Sequence, residues 1–142
     1  MELYITNRKR NDFPDNNALS PEDMPLQVII NALELAQDAK NSTISLAGNE
    51  PALYPDLAKV FEQASKRNIR CVIETSGLMP DSAKNLIIEN KPIVCWKLYR
   101  EKFYSNDDKA EIQNNISAFI QAGIETSIRL YVDDTYDDYS FG

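Results

Sequence analysis

Short apolar strands and amphipathic helical stretches alternate along most of this chain. Strand-length apolar runs lie at residues 3–6, 42–48, 69–75, 92–99 and 124–132. The segments between the later runs carry apolar residues at helical spacing. Such alternation is typical of right-handed β-α-β units, whose parallel strands form one sheet that helices cover. The pattern predicts an α/β fold, either a flavodoxin-like sheet or part of a (β/α) barrel, built as a single domain from all 142 residues.

Capping residues and glycines predict where the helices begin and end. Ser20 followed by Pro21 predicts an N-cap and a first helical position. Asn68 is a plausible residue just beyond the second helix, and Gly123 should stop the last one. A shorter helix is predicted over residues 80–90. The last helix carries four apolar residues at helical spacing: Ile112, Ile116, Phe119 and Ile120.

Composition and charge exclude several classes of function. The net charge of −7 argues against a nucleic-acid backbone or an anionic membrane as the partner, since both need a basic surface. The absence of His excludes Ser-His-Asp, Cys-His and His-based zinc chemistry within this chain. Cys71 and Cys95 lie in apolar runs and are expected to be buried free thiols. With no bilayer-length apolar run and no signal-peptide pattern, we expect a cytoplasmic protein.

Ligands of parallel α/β folds bind where the strands end at their carboxyl side. The ligand-binding candidates are therefore the residues that follow three of the predicted strands: Gly48, Asn49, Glu50, Pro51, Thr75, Ser76 and Lys97. Gly48 permits a tight turn, and Pro51 favours an extended Glu50 whose carboxylate could receive an amine. The plainer alternatives are ordinary turns at both loops and a Lys97 ammonium that extends into solvent, which is the commoner arrangement.

Four segments, in order, make the chain resemble the radical S-adenosylmethionine (SAM) enzymes over residues 1–132. ISLAGNEPALYPDL is similar to their second strand, Gly-Gly-Glu-Pro motif and following helix. IRCVIETSG is similar to the third strand and its Thr-Ser-Gly ending, and IVCWKLY lies where the fourth commonly carries Asp-x-Lys. AGIETSIRLYV resembles the start of the fifth strand. The resemblance implies a partial TIM-like half-barrel of about five parallel strands with external helices.

The same resemblance shows at which positions this chain lacks motif residues of the family. In the family a Cys-x-x-x-Cys-x-x-Cys loop after the first strand holds a [4Fe–4S] cluster through three thiolates. Its cysteine positions fall on Lys9, Phe13 and Asn16 of the segment TNRKRNDFPDN. Asn49 also replaces the second Gly of Gly-Gly-Glu-Pro, and Cys95 stands where the Asp of Asp-x-Lys would be. We therefore expect no resident cofactor, no metal site and no [4Fe–4S] cluster. These replacements also argue against SAM binding, although they do not exclude it.

These departures lead to a leading functional hypothesis and two alternatives. The leading one is a non-catalytic scaffold that binds a ligand or a partner, with no catalytic residue of its own. One alternative is a fragment or subunit of a radical SAM enzyme whose cluster is supplied elsewhere. The other is an enzyme with repurposed, non-radical chemistry, in which Glu50 and Lys97 form an acid–base pair.

A half-barrel without its last unit leaves an open sheet edge, which a second copy or a protein partner could cover. Residues 133–142 are acidic and aromatic, and either form a tail or begin a further element.

Overall fold

The computed structural model describes residues 1–8, 22–98 and 104–130. The predictions for Lys9, Phe13, Asn16 and residues 133–142 therefore lie outside the described residues. Within the described ranges the strands are β1 Glu2–Thr6, β2 Thr43–Gly48, β3 Arg70–Thr75, β4 Ile93–Leu98 and β5 Thr126–Leu130. The α-helices are α1 Leu26–Asp38, α2 Leu57–Lys66, α3 Asp81–Asn90 and α4 Asn106–Gln121, and a short 3-10 helix spans Pro51–Leu53.

The five strands form one parallel sheet in the order β1-β2-β3-β4-β5. Each strand is added on the same side of the preceding one, so right-handed crossovers place every connecting helix on the same face. A flavodoxin-like sheet would instead reverse its strand order near the middle. The predicted α/β fold with five parallel strands and external helices is confirmed, and the sequential order favours the half-barrel over the flavodoxin-like alternative.

The sheet has a helix-covered face and an opposite face, which we call the open face. The helix-covered face is lined by fully buried apolar side chains from the three central strands: Ile44, Leu46, Ile73, Val94 and Trp96. Residues that pair across parallel strands share a face, so the register Glu74↔Cys95 and Lys97↔Arg129 places these four on the open face. The apolar core therefore lies under the helices, and the ionisable groups of the central strands lie opposite it.

Helix α4 holds the turn that follows β3. The rings of Trp96 and Phe119 stack with centroids 5.3 Å apart. Gly77 sits against the Trp96 ring, since a Cβ on this residue would lie 3.1 Å from it, and its φ of +87° is a left-handed conformation that glycine readily adopts. Asn115 of α4 donates from Nδ2 to the Gly77 carbonyl at 2.7 Å. The core thus fixes the loop that carries Thr75 and Ser76.

The predicted N-cap at Ser20 and first helical position at Pro21 lie outside the described residues, within which α1 begins at Leu26. Asp23, which precedes α1, forms an isolated antiparallel bridge with Thr6. Its carboxylate accepts hydrogen bonds from Thr6 Oγ1 and from the Arg8 guanidinium. These contacts hold the chain before α1 in a non-helical conformation at the end of β1.

The remaining helix boundaries agree with their sequence signals, whereas one residue predicted on the apolar face of α4 is exposed. Asn68 and Gly123 follow α2 and α4 with φ of +55° and +80°, as residues beyond a helix end commonly do. The helix expected over residues 80–90 is α3. Ile120 is not part of the core, since 57% of its surface is exposed. No helix among the described residues has both the length and the apolar character needed to cross a membrane.

Candidate ligand-binding site

The predicted candidates gather at the carboxyl end of the sheet. Gly48 ends β2, Thr75 ends β3, and Lys97 is the penultimate residue of β4. Side chains then connect the loops, as Glu50 reaches the β3 end and Lys97 reaches the β2 end. Three further candidates complete this set of neighbours: Asn49, Pro51 and Ser76. Their contact with a ligand stays a prediction, whereas their contacts with one another are described below.

Glu50 is buried and its carboxylate is surrounded by donors of the chain itself. Oε1 accepts from Thr75 Oγ1 at 2.7 Å and from the Ala52 N–H at 3.3 Å. Oε2 accepts from the Ser76 N–H at 2.9 Å and from Ser76 Oγ at 2.6 Å. Burial raises the pKa of Glu50, and the hydrogen bonds from Ser76 and Thr75 partly oppose that rise. In this arrangement Glu50 joins the β2 and β3 loops rather than presenting a free acceptor for an amine.

Asn49 holds the backbone that leaves β1. Its Nδ2 donates to the Asn7 carbonyl at 2.8 Å, and its Oδ1 accepts from Tyr4 Oη at 3.0 Å. Its N–H also donates to the Thr6 carbonyl at 3.2 Å. Gly48 contributes by lacking a Cβ, because an ideal Cβ there would fall well under 3.0 Å from the same carbonyl oxygen. The β1 and β2 ends are therefore packed too closely for any larger residue at position 48.

The chain on either side of residues 9–21 is joined by a group of contacts that we call the clasp, formed by Thr6, Asn7, Arg8, Glu22 and Asp23. The Arg8 guanidinium binds the Asp23 carboxylate, with Nη2 to Oδ2 at 2.9 Å. Thr6 Oγ1 donates to the same carboxylate at 2.6 Å, and the Asn7 N–H donates to the Glu22 carbonyl at 3.1 Å. The hydrogen bond from Arg8 holds the pKa of Asp23 below its usual value.

Lys97 is buried on the open face, so the expectation that its ammonium extends into solvent is wrong. The residue is 5% exposed, and its Nζ donates to the Gly48 carbonyl at 2.7 Å. Nζ also lies 3.8 Å from Glu74 Oε2. The other carboxylate oxygen of Glu74 accepts from Arg129 Nη1 at 2.9 Å. Lys97 and Glu50 therefore have separate partners, which does not support the acid–base pair predicted for a repurposed enzyme.

Glu74 and Arg129 are site residues that the sequence interpretation missed. Glu74 is only 6% exposed although it is ionisable. The signal available in the sequence was a single acidic residue directly after the apolar residues Cys71, Val72 and Ile73, since a charge is almost never buried without a partner. Arg129 lies directly across from Lys97 in the register of β4 and β5, which strand pairing alone reveals.

Lys97 retains hydrogen-bonding capacity toward a ligand. An ammonium has three N–H donors, and within the described residues one is taken by Gly48. The 3.8 Å separation from Glu74 Oε2 is an ion-pair distance and exceeds that of a hydrogen bond. Glu74 Oε2 likewise accepts no hydrogen bond from the described residues. The two groups form an adjacent cation and anion, and each has a hydrogen-bonding position that none of the described residues takes up.

The described residues do not fit a three-thiolate cluster. No group of three or more Cys, Asp, Glu or His side chains among them could hold a metal ion. Cys71 and Cys95 are both buried and free, and they lie on opposite faces of the sheet. Burial raises the pKa of the Cys71 thiol to about 12, which disfavours the thiolate that iron requires.

The chain matches no protein-family model. It is 38% identical over 58 residues to an S-adenosyl-L-methionine-dependent tRNA 4-demethylwyosine synthase from Pyrococcus abyssi, a match that covers 41% of this chain and 17% of that protein. Its fold is similar to that of anSMEcpe solved with bound AdoMet and a Cp18Cys peptide, with a TM-score of 0.62 at 18% identity over 86% of this chain and 38% of that one.

SuiB of Streptococcus suis, solved with S-adenosylmethionine, also has a TM-score of 0.62 at 18% identity, over 79% of this chain and 28% of that one. This chain therefore spans well under half the length of each of these three proteins.

The fold and these matches define a partial TIM-like barrel, a fold shared with proteins solved with bound SAM. The resemblance to the radical SAM superfamily is confirmed. The expectation that the chain has no cofactor is contradicted, because the curated relative is SAM-dependent and two structures that share the fold contain SAM. The replaced loop positions led to that expectation, although they bear on iron ligation rather than on SAM itself.

Proposed function

We propose that this chain binds S-adenosylmethionine at the carboxyl ends of β2, β3 and β4. Its SAM-dependent curated relative and the SAM-bound proteins of similar fold support this ligand. The observation that carries the proposal is the buried pair of Lys97 and Glu74, whose charged atoms lie 3.8 Å apart on the open face.

The pair matches the amino-acid end of SAM, which carries a carboxylate and an ammonium on one carbon. Lys97 donates its remaining N–H groups to the carboxylate, and Glu74 Oε2 accepts from the ammonium. Such charge-assisted hydrogen bonds are stronger than neutral ones and are strengthened further by burial. Two hydrogen bonds hold these groups in place: Arg129 donates to Glu74 Oε1, and Lys97 donates to the Gly48 carbonyl. Glu50, Thr75 and Ser76 support the loops around them.

Radical chemistry would need cluster thiolates from outside this sequence. The chain has two cysteines, both within strands, whereas a site-differentiated [4Fe–4S] cluster needs three thiolates. We propose that the chain alone is a SAM-binding scaffold without chemistry of its own. It would act as the fragment or subunit of a radical SAM enzyme whose remaining polypeptide supplies the ligands. The chain covers 38% of anSMEcpe and 28% of SuiB, and this partial coverage favours the role as a fragment or subunit of a larger enzyme.

Titration calorimetry with SAM and with 5′-methylthioadenosine, which lacks the amino-acid end, tests the binding site. We expect Lys97→Met to weaken SAM binding by about 10- to 100-fold, as for loss of a hydrogen bond to a charged group. Binding of 5′-methylthioadenosine should not change in this variant. Glu74→Gln should weaken SAM selectively in the same way.

Lys59→Met is the matched control, because Lys59 is exposed on α2 and pairs only at the surface with Asp56. Equal SAM affinity in the wild type and Lys97→Met would contradict the proposed role of the pair. An absence of SAM binding by the folded wild type would contradict the proposed function as a whole.

A further inference from the structure

The exposed large apolar side chains of the described residues are confined to the two ends of the sheet. They are Met1, Tyr4, Val28, Leu35, Ile120, Ile128 and Leu130. All of them belong to β1, α1, α4 or β5, or immediately precede β1. The described residues of the central strands and of α2 and α3 contribute none. β1 and β5 are the outer strands of the sheet within the described ranges, and apolar exposure concentrated at outer strands is typical of an association surface.

One group, the β5-edge patch, consists of Ile120, Ile128 and Leu130. Ile128 pairs with Trp96 and Leu130 with Leu98, so both lie on the helix-covered face, yet they are 61% and 48% exposed. On α4, Asn115 faces the turn after β3. Ile120 is five residues further on and therefore about 140° around the helix, on the side away from β3. No described helix covers this part of the face.

The other group, the β1-edge patch, consists of Val28 and Leu35 on α1. They are seven residues apart and so share one side of the helix. Glu34 contacts Arg67 at the end of α2 at 3.5 Å, which shows the side of α1 that faces α2. The buried residues of α1 form a stripe along the helix, and Val28 and Leu35 lie on the side of this stripe that is opposite to Glu34. The stripe consists of Ile29, Leu33 and Ala36. They therefore point past the outer edge of β1.

We propose that two copies of this chain associate edge to edge, with β5 of one copy beside β1 of the other in parallel. The partner's β1 then lies beside β5 on the side away from β4, and the β5-edge patch packs against the partner's β1-edge patch. A two-fold axis parallel to the strands creates the same junction twice, so the outer strands β1 and β5 of both copies are covered at once. A second copy carries the complement of each edge, which is why we favour it over an unrelated protein.

This proposal is independent of SAM binding, and solution mass tests it directly. Light scattering and sedimentation over 1–200 µM should give the mass of two chains for the wild type. Ile128→Glu and Leu35→Glu, each of which places a charge in one patch, should weaken association by at least about 100-fold and give the mass of one chain. Ser82→Glu on α3 is the control, since it adds the same charge at an exposed position away from both edges and should remain dimeric.

Cross-linking distinguishes the β5–β1 junction from other dimers. Tyr4 and Ser127 lie on the open face of β1 and β5, and the native cysteines are buried. A short bismaleimide should join Tyr4→Cys to Ser127→Cys when the two variants are mixed, and should join neither variant to itself. Links only between two Ser127→Cys chains would overturn the proposal in favour of β5–β5 pairing. A monomeric wild type, or stable association only with a different protein, would also overturn it.

Discussion

Ser76 donates two hydrogen bonds to a single oxygen of Glu50, from its backbone N–H at 2.9 Å and from its hydroxyl at 2.6 Å. Thr75 supplies a third donor, to the other oxygen, at 2.7 Å. One side chain from the β2 loop thereby orders the whole turn after β3. The GNEP and TSG segments, 25 or more residues apart in sequence, behave as one structural unit.

Replacing Glu50 with Ala should lower the free energy of unfolding by about 3 kcal/mol, because several buried donors lose their acceptor together. Urea unfolding followed by circular dichroism at pH 7 measures the change. Glu62→Ala on α2 is the control, since the ion pair that it removes, with Lys66, is exposed and should cost less than about 0.5 kcal/mol. Similar effects for the two variants would show that the Glu50 network adds little to stability.

The raised pKa of Glu50 predicts a pH dependence with a definite sign. The unfolded chain releases this proton near the ordinary value of 4.5, whereas the folded protein retains it to higher pH. Between those two pKa values the folded state binds more protons, so its stability falls as pH rises. Relative to Glu50→Gln, which does not titrate, the wild type should gain stability as the pH is lowered from 7 toward 4.5.

The difference in the free energy of unfolding between the wild type and Glu50→Gln can change by up to about 1.4 kcal/mol per pH unit. Urea unfolding of both proteins at half-unit steps of pH measures it. A difference that is flat, or that grows as pH rises, would mean that the pKa of Glu50 is not raised in the folded state.

Gly48 and Gly123 offer a matched pair of glycine substitutions. Both have positive φ, +144° and +80°, but a Cβ at Gly48 meets the Thr6 carbonyl while a Cβ at Gly123 meets nothing within 4 Å. Gly123→Ala should cost about 1–2 kcal/mol for the left-handed backbone alone. Gly48→Ala should cost more than about 3 kcal/mol, because a backbone atom cannot move aside. Thermal unfolding compares them, and equal costs would contradict the close approach of β1 and β2.

Cys71 should resist alkylation for as long as the protein stays folded. Burial raises its pKa to about 12, so almost no thiolate forms at pH 8. Mass spectrometry after treatment with N-ethylmaleimide should show an unmodified Cys71 in buffer and a modified one in 6 M guanidinium, roughly a full-denaturant condition for small domains. Rapid modification in buffer would mean that the chain around β3 opens readily.

Fold and site differ in how far the sequence predicts them. Strand and helix order follows from apolar periodicity, and Asn68 and Gly123 mark helix ends through a left-handed backbone that few residues adopt. The start of α1 could not be predicted locally, because Asp23 is held by Thr6 and Arg8 from a different element.

The candidate loops were found from strand ends, whereas the charges between them were not. The position of Lys97 is set by a carbonyl 49 residues away at Gly48 and by Glu74 on the neighbouring strand. Such pairings depend on register, which a sequence read residue by residue does not contain. Arg129 was missed for the same reason, since only the pairing of β5 with β4 brings it to Glu74.

The clasp between Arg8 and Asp23 has a consequence for protein engineering. It closes the chain on both sides of residues 9–21 with bonds that belong to neither Lys9, Phe13 nor Asn16. An insert of different composition would therefore begin and end at attachment points that are already anchored to β1. The clasp makes the chain suitable for grafting other loops between Arg8 and Glu22. The first graft to build would carry cysteines in place of Lys9, Phe13 and Asn16.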